Sequence, residues 1–291
     1  MFEILESQTL VPNIHQLTVR APDVARSMKP GQFVILRAID GGERIPLTAS
    51  DWDGEQGTVT VVFLVVGNTT RLLATMKAGD SLPTVVGPLG NPLELPQSKT
   101  VLCVGGCYGI ASLYPTAREL KKMGNRVLML VEARSGNLFF WNEKLRSVSD
   151  AMYFVTRDGT QGYRGHIAKN LPQVIGDYGQ AVDQIIINGC NYLMKRGSDA
   201  SRPLGIKTMV SLNTLMIDGT GMCGVCRVSI DHKMKFACVD GPYFDGHQVD
   251  WDELAQRRRS YLPEEVVPLR SSRAEPRQTD KQKESAYGHA G

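Results

Sequence analysis

Short apolar and β-branched runs recur along residues 1–97, and glycine or proline separates them. The runs lie at Gln16–Arg20, Gln32–Arg37, Thr58–Val66 and Ser81–Val85. Several short strands with regular turn signals are typical of a small antiparallel barrel. We therefore predict an all-β barrel domain over residues 1–97.

Strand-like and helix-like patterns alternate beyond Lys99. A helical stretch follows the first buried-type strand and ends at Gly124, where a helix C-cap is expected. Such alternation predicts a parallel α/β sheet over residues 98–212. Its predicted elements are strands at Thr100–Val104, Arg126–Val131, Ala151–Thr156 and Gln184–Asn188, with a helix at Ile110–Met123.

The regular pattern stops after Leu212, and residues 213–256 are Gly-rich and cysteine-bearing, with one short helix expected at 251–259. Residues 257–291 carry eight basic and five acidic side chains and few large apolar residues, which predicts a basic, flexible tail. The fold class expected is a multi-domain chain: a β-barrel, an α/β parallel-sheet domain, a small C-terminal loop domain and this tail.

Charge and composition limit the classes of protein to which this chain could belong. The chain has 291 residues, a net charge of +3 and 42% hydrophobic residues, which is ordinary globular composition. The tail accounts for the whole net charge, so a nucleic-acid-binding body is not expected. No apolar run reaches the ~18–20 residues of a membrane helix, and the N-terminus lacks a secretory pattern, which makes a cytoplasmic location the expectation.

The strongest chemical signal is a cysteine loop, Asp218-Gly-Thr-Gly-Met-Cys223-Gly-Val-Cys226, followed by Cys238. Plant-type [2Fe–2S] loops run C-x4-C-x2-C with a distant fourth cysteine, and here Asp218 stands at the first position. A carboxylate can occupy one ligand position, and glycines let backbone amides approach the cluster sulfides. The spacing favours an iron–sulfur cluster, with a zinc site or three buried free thiols as alternatives.

A glycine-rich turn lies between the first strand and helix of the α/β region. Gly105, Gly106 and Gly109 stand where a pyrophosphate would meet a helix N-terminus; a turn used only for packing explains them equally well. Glu132 and Arg134 follow the next predicted strand. They are expected either near the ribose or adenine of a bound nucleotide or at a solvated strand end.

A third motif in the barrel reads Arg44-Ile-Pro46-Leu47-Thr48. It pairs a phosphate-binding guanidinium with a hydroxyl able to reach a flavin. The segment with Gly67, Thr69 and Thr70 follows a strand and offers amides and hydroxyls to a second phosphate. A surface arginine and an ordinary turn are the competing interpretation.

In this order, the three motifs resemble the ferredoxin–NADP reductase superfamily over residues 1–250. The closest likeness is to its iron–sulfur branch, which includes the electron-transfer subunit of dihydroorotate dehydrogenase. The aspartate at 218 and the run Phe236-Ala-Cys238-Val-Asp-Gly-Pro are similar to the small subunits of NADH-dependent ferredoxin:NADP oxidoreductases, also named sulfide dehydrogenases.

The resemblance implies FAD in the barrel, NAD(H) in the α/β domain and a [2Fe–2S] cluster in the loop. It places Arg44, Pro46, Leu47, Thr48, Gly67, Thr69 and Thr70 at FAD; Gly105, Gly106, Gly109, Asp158, Gly159, Gly189 and Cys190 at the nicotinamide nucleotide; and Asp218, Cys223, Cys226 and Cys238 at the cluster. Cys107-Tyr108 and Arg157 depart from the family pattern and leave the choice between NAD and NADP open.

The function implied is that of an electron-transfer subunit, which exchanges hydride with NAD(H) at FAD and passes single electrons through the cluster to a partner. That partner is expected to be a larger flavoprotein similar to the small subunit of glutamate synthase, with ferredoxin reached through it. A dihydroorotate dehydrogenase electron-transfer subunit is the alternative within enzymes. A non-catalytic zinc-binding or scaffold subunit is the alternative of another class.

Overall fold

Seven antiparallel strands build the first domain of the computed structural model, which describes residues 1–260. Sheet neighbours follow the order β6-β1-β2-β5-β4-β3-β7. The two edge strands are consecutive in the chain and separated only by Pro83, so the sheet curls until its edges nearly meet. The elements are β1 (Phe2–Val11), β2 (Ile14–Arg20), α1 (Pro22–Ser27), β3 (Phe33–Arg37), β4 (Arg44–Asp53), β5 (Thr58–Leu64), α2 (Asn68–Thr75), β6 (Ser81–Leu82) and β7 (Thr84–Leu89).

The predicted barrel is confirmed, but the sequence pattern missed β1, α1, β4 and α2. The motif that begins at Arg44 forms the first half of β4. Alternate residues of the strands fill the interior, where Val34, Leu36 and Ala49 belong to one buried apolar cluster.

The second sheet is parallel apart from one edge strand, in the order β11-β10-β9-β8-β12-β13-β16. Predicted strands Ala151–Thr156 and Gln184–Asn188 occur with those bounds, whereas β8 and β9 each extend two residues beyond the prediction. The elements are β8 (Thr100–Gly106), α3 (Gly109–Lys122), β9 (Arg126–Ala133), α4 (Asn142–Arg146), β10 (Ala151–Thr156), β11 (Tyr163–Arg164), α5 (Ile167–Tyr178), β12 (Gln184–Asn188), α6 (Asn191–Ser201), β13 (Lys207–Ser211), β14 (Arg227–Ile230), β15 (Lys233–Phe236), β16 (Tyr243–Asp245) and α7 (Trp251–Arg258), with 3-10 turns at Gly136–Leu138 and Arg202–Leu204.

Both faces of this sheet are covered, which explains why its central strands are almost wholly apolar. Val101 and Cys103 face α3, while Leu102 and Val104 face α5 and α6. Cys103 is fully buried, and burial raises the pKa of its thiol to about 12.

The cysteine-bearing segment is structurally joined to both preceding domains. It forms the hairpin of β14 and β15, and β16 then pairs antiparallel with β13. The predicted C-terminal helix is confirmed as α7, so the predicted tail begins inside a helix; residues 261–291 lie outside the described residues. None of the helices within residues 1–260 is both long and apolar enough to cross a membrane.

Candidate functional site

The four predicted cluster ligands lie together in two pairs. Cys223 Sγ donates to Asp218 Oδ1 at 3.3 Å, and Cys226 Sγ lies 3.2 Å from Cys238 Sγ. The second distance is far beyond the ~2.05 Å of a disulfide, so both thiols are free. Cys226 and Cys238 are buried and Cys223 is exposed. Burial, followed by the neighbouring Cys226 thiol, raises the pKa of Cys238 to about 12.

This arrangement fits a two-iron cluster better than a single zinc ion. Tetrahedral zinc takes four donors around one point, whereas the four side chains here lie as two pairs. A [2Fe–2S] cluster takes two protein ligands at each iron, and the two pairs would supply them. The sulfur-rich donor set also suits iron.

Backbone geometry explains why the loop is rich in glycine. Gly219, Gly221 and Gly224 all have φ between +65° and +85°, a region that side chains disfavour. The Asp218 carboxylate accepts hydrogen bonds from the amides of Met222 and Cys223, both at 3.1 Å. Desolvation opposes ionisation, but the hydrogen bonds from the loop outweigh it and hold the pKa of Asp218 below its usual value.

The loop packs directly on the outside of the barrel. A Cβ placed on Gly219 would lie 2.6 Å from Ile35 Cδ1 and 2.9 Å from Leu89 Cδ1. Ile35 belongs to the same buried cluster as Cys226 and Cys238, whereas its neighbour Val34 faces the barrel interior. The outer face of β3 therefore borders the cysteine loop.

The predicted flavin motif lies on this same outer face. Pro46 is opposite Ile35 and Thr48 is opposite Phe33 across the β3–β4 pair, so Arg44, Pro46 and Thr48 share the face, while Leu47 packs against the barrel core.

Arg44 has a basic neighbour that no sequence motif singles out. It pairs with Arg37 across β3 and β4, and within residues 1–260 neither buried Nε atom has a hydrogen-bond partner. Two adjacent guanidiniums with unpartnered nitrogens suit the phosphates of a dinucleotide.

The start of α2 lies beside this arginine pair. Thr69 Oγ1 donates to the carboxylate of Glu43, the residue before Arg44. Thr70 Oγ1 accepts from the Gly67 amide at 2.9 Å and so serves as a cap. The space at Gly67 is open, because a Cβ placed there would have no neighbouring atom within 4 Å.

The glycine turn lies where the strand order reverses between β8 and β12, the usual ligand position in open parallel sheets. Its glycines are closely packed, and at Gly109 packing requires glycine. A Cβ on Gly109 would clash with the Asn188 carbonyl oxygen, whereas one on Gly106 would meet Leu193 Cδ1, the end of a flexible side chain. Gly105 is similarly enclosed by Leu113. These contacts hold α3 against the end of β12 and leave a cleft above the turn.

That cleft has a volume of about 500 Å³ and lies between the barrel and the α/β sheet. Gly106, Cys107 and Cys190 line its floor; both cysteines are exposed. Cys107 has φ +56°, an uncommon backbone conformation for a non-glycine residue that occurs often at functional turns. Gly189 holds the adjoining turn by accepting from Asn213 Nδ2 at 2.6 Å.

Glu132 and Arg134 both line the cleft, but they differ in role. Glu132 lies inside β9 and is buried, so the expectation of a solvated strand end is wrong for it. Its Oε2 accepts from the Ile167 amide at the start of α5 at 2.7 Å, and its Oε1 pairs with Arg157. Glu132 thus anchors the cleft wall, while Arg134 faces the cleft.

Asp158 and Gly159 lie in the turn after β10 and are not among the residues lining the cleft. Asp158 Oδ1 accepts from the Thr160 amide and hydroxyl, at 3.0 and 2.7 Å. These bonds, led by the one from the hydroxyl, hold the pKa of Asp158 below its usual value.

Three basic residues of the cleft are not indicated as contacts by any sequence motif: Arg157, His166 and Arg196. Arg196 Nη2 lies 3.3 Å from His166 Nε2, although the two residues are on different helical segments. No spacing in the sequence indicates this meeting, because the packing of α5 on α6 creates it.

Comparison with known proteins identifies relatives of the cysteine-bearing segment and of nearly the whole chain. Residues 213–250 match the family described as the iron–sulfur cluster binding domain of dihydroorotate dehydrogenase B. A Thermotoga maritima protein named as a homolog of the dihydroorotate dehydrogenase B (NAD(+)) electron transfer subunit is 40% identical over 265 residues, covering 91% of this chain and 93% of the relative. The Bacillus cereus electron transfer subunit is 31% identical, with coverage of 83% and 94%.

A solved structure agrees over nearly the whole chain. It comes from work on flavin-based electron bifurcation by NADH-dependent reduced ferredoxin-NADP oxidoreductase. Its TM-score is 0.88 at 37% identity, covering 94% of this chain and 98% of the other. The fold class and the superfamily resemblance predicted from sequence are confirmed. The chain belongs to the family of dihydroorotate dehydrogenase B electron-transfer subunits.

Proposed function

We propose that this chain is the flavin- and [2Fe–2S]-containing electron-transfer subunit of an NADH-dependent ferredoxin:NADP oxidoreductase. The observation that carries the proposal is the pairing of Asp218 with Cys223 beside the buried Cys226–Cys238 pair. The near-complete structural match to a chain of such an oxidoreductase supports it.

The cofactors are those of the family: FAD, a [2Fe–2S] cluster and NAD(H). When bound, FAD would supply the two-electron chemistry that takes hydride from NADH and the one-electron chemistry that passes electrons to the cluster. Arg37 and Arg44 would hold the FAD phosphates, and Thr48 would lie at the flavin ring. The contact of Gly219 with Ile35 brings the cluster loop to this same barrel face, so the two proposed cofactor sites would be neighbours.

The nucleotide would enter the cleft above Gly106. The glycine turn and the positive end of α3 face its pyrophosphate, and Arg134 and Arg196 supply positive charge along the wall. Glu132 keeps that wall in place through Ile167 and Arg157. No side-chain acid or base is needed, because the chain's contribution is to bind, orient and shield the reactants.

The cluster loop offers an exit for electrons toward a partner. Asp218 and Cys223 form its outer, solvent-facing pair, and Met222 between them is 88% exposed. Ile217 and Val239 add exposed apolar surface nearby. A larger flavoprotein similar to the glutamate synthase small subunit would cover this surface in the cytoplasm, with ferredoxin reached through that partner.

The decisive experiment is purification of the full chain with its co-purifying proteins, followed by metal, sulfide and flavin analysis. We expect about two iron and two labile sulfide per chain, a flavin spectrum, and bleaching of that spectrum by NADH. One zinc ion per chain, or neither flavin nor iron, would overturn the proposal.

A second function is supported by the family itself. The match over residues 213–250 and the curated relatives carry the name of dihydroorotate dehydrogenase B. Asp218 argues against this function, because the resemblance implies that the cluster loop of that subunit carries four cysteines. Co-purification with a dihydroorotate-oxidising subunit, instead of a glutamate-synthase-like flavoprotein, would reverse the choice.

A further inference from the structure

A second, smaller pocket lies beside the cysteine loop. Its volume is about 170 Å³. Three segments meet there: the loop after β13, the end of the cysteine loop, and the last turn of α7. We call it the arginine pocket, since its lining includes Arg227, Arg257 and Arg258 together with Thr214, Val225 and Leu254.

Each guanidinium of the pocket is oriented by one backbone carbonyl. Arg227 Nη1 donates to Gly224 O at 3.1 Å, Arg257 Nη2 to Val225 O at 3.2 Å, and Arg258 Nη1 to Asn213 O at 3.1 Å. A guanidinium has five N–H donors, so most of them stay available.

No carboxylate balances these three charges within residues 1–260. The pocket lining contains no acidic residue, and none of the three arginines forms an ion pair with a described residue. The acids of α7 lie at its start, where Asp250 caps the helix and Asp252 pairs with Lys195. Glu253, one turn before Arg257, forms no ion pair with a described residue.

Thr214 adds a second, independent feature. Its Oγ1 is buried and has no hydrogen-bond partner in the described part of the chain, although it lines the pocket. A buried hydroxyl without a partner is destabilising, and rotation of the Thr214 side chain toward the pocket would let a ligand oxygen accept from it. An oxyanion accepts from both a hydroxyl and guanidinium groups.

We propose that the arginine pocket binds a phosphate-type oxyanion. The pocket is well below the ~300–1,000 Å³ of sites that enclose whole small molecules, so the ligand is inorganic phosphate or the phosphate group of a molecule that otherwise stays in solvent. This site is separate from the cleft and from the FAD face.

The bound anion would connect the two redox sites of the chain. Through Arg257 it holds Val225, which lies between Cys223 and Cys226. Through Arg258 it holds Asn213, whose side chain donates to Tyr108 Oη at 2.8 Å and to Gly189 O. Occupancy would therefore stiffen both the cluster loop and the nucleotide turn.

The test is a phosphate titration of the purified holoprotein at constant ionic strength, which chloride maintains. Binding is measured by the change in the unfolding midpoint and by the ³¹P NMR line width of the phosphate. The wild type should gain stability with phosphate. The double variant Arg227→Gln/Arg258→Gln should bind phosphate at least about tenfold more weakly, because two charge-assisted contacts are lost. The control Arg26→Gln, on the barrel helix α1, should behave as wild type.

Thr214→Val provides a test that misfolding cannot imitate. It should raise the unfolding midpoint without phosphate, because an unpartnered hydroxyl is removed, and should reduce the phosphate-induced gain. Inorganic phosphate and glycerol phosphate are compared to identify the source, and stronger binding of either supports the site. An equal response to chloride, full binding by the double variant, or stronger binding of acetate than of both phosphates would overturn the proposal.

Discussion

Asp51 joins the barrel to the α/β domain, and its replacement by asparagine should loosen that contact. From β4, its carboxylate binds Arg118 Nη1 of α3 at 2.7 Å and Lys144 Nζ of α4 at 2.5 Å. The Asp51 side chain is only 20% exposed. Both cations also lie over aromatic rings, with Lys144 Nζ 4.4 Å from the Tyr114 centroid.

The expected loss follows from these two charged hydrogen bonds. Each is worth about 1.5–3 kcal/mol when shielded, but both cations are partly solvated and keep their aromatic contacts, so we expect a total loss of about 2–3 kcal/mol in Asp51→Asn. For a chain of this size that corresponds to a fall of about 5–10 °C in the unfolding midpoint.

The assay is differential scanning calorimetry of the holoproteins, with Asp23→Asn as the matched control. Asp23 also pairs with an arginine, Arg26, but its side chain is 92% exposed, so its loss should change the midpoint by about 1 °C or less, as for surface ion pairs generally. Equal midpoints for the Asp51 and Asp23 variants would refute the reasoning that burial makes the Asp51 contact strong.

Three further predictions concern the site and its supports. Asp218→Cys should retain iron and lower the cluster potential, because thiolate donates more electron density than carboxylate; an unchanged potential in an EPR-monitored titration would count against Asp218 as a ligand. Gly109→Ala should destabilise the fold by about 1–3 kcal/mol through its clash with Asn188 O and weaken NADH binding in a fluorescence titration, whereas Gly176→Ala, where the space is open, should be neutral or stabilising. Desolvation raises the pKa of Asp150, but hydrogen bonds from Lys121 and the Val127 amide outweigh it and lower the pKa. The wild type should therefore be more stable to urea than Asp150→Asn above about pH 5, and the difference should vanish as the pH falls below the usual aspartate range. A difference that does not change with pH would contradict this.

Local sequence patterns predict the elements that have a strong hydrophobic pattern. The buried strands Ala151–Thr156 and Gln184–Asn188 follow from their apolar runs, and the positive φ angles of the cysteine loop follow from its glycines. Strand β4 was missed because its mixed sequence alternates weakly; its pairing with β3 and β5 decides it.

The sequence by itself determined the chemistry available to this protein: which donors the cysteine loop holds, and that one of the four is a carboxylate. Only the tertiary structure decided how those groups meet. Strand register places Arg37 beside Arg44, and the packing of β9 on α5 turns Glu132 from a strand-end carboxylate into a buried anchor. Side-chain type is a local property of the chain, whereas proximity and burial arise between segments far apart in sequence.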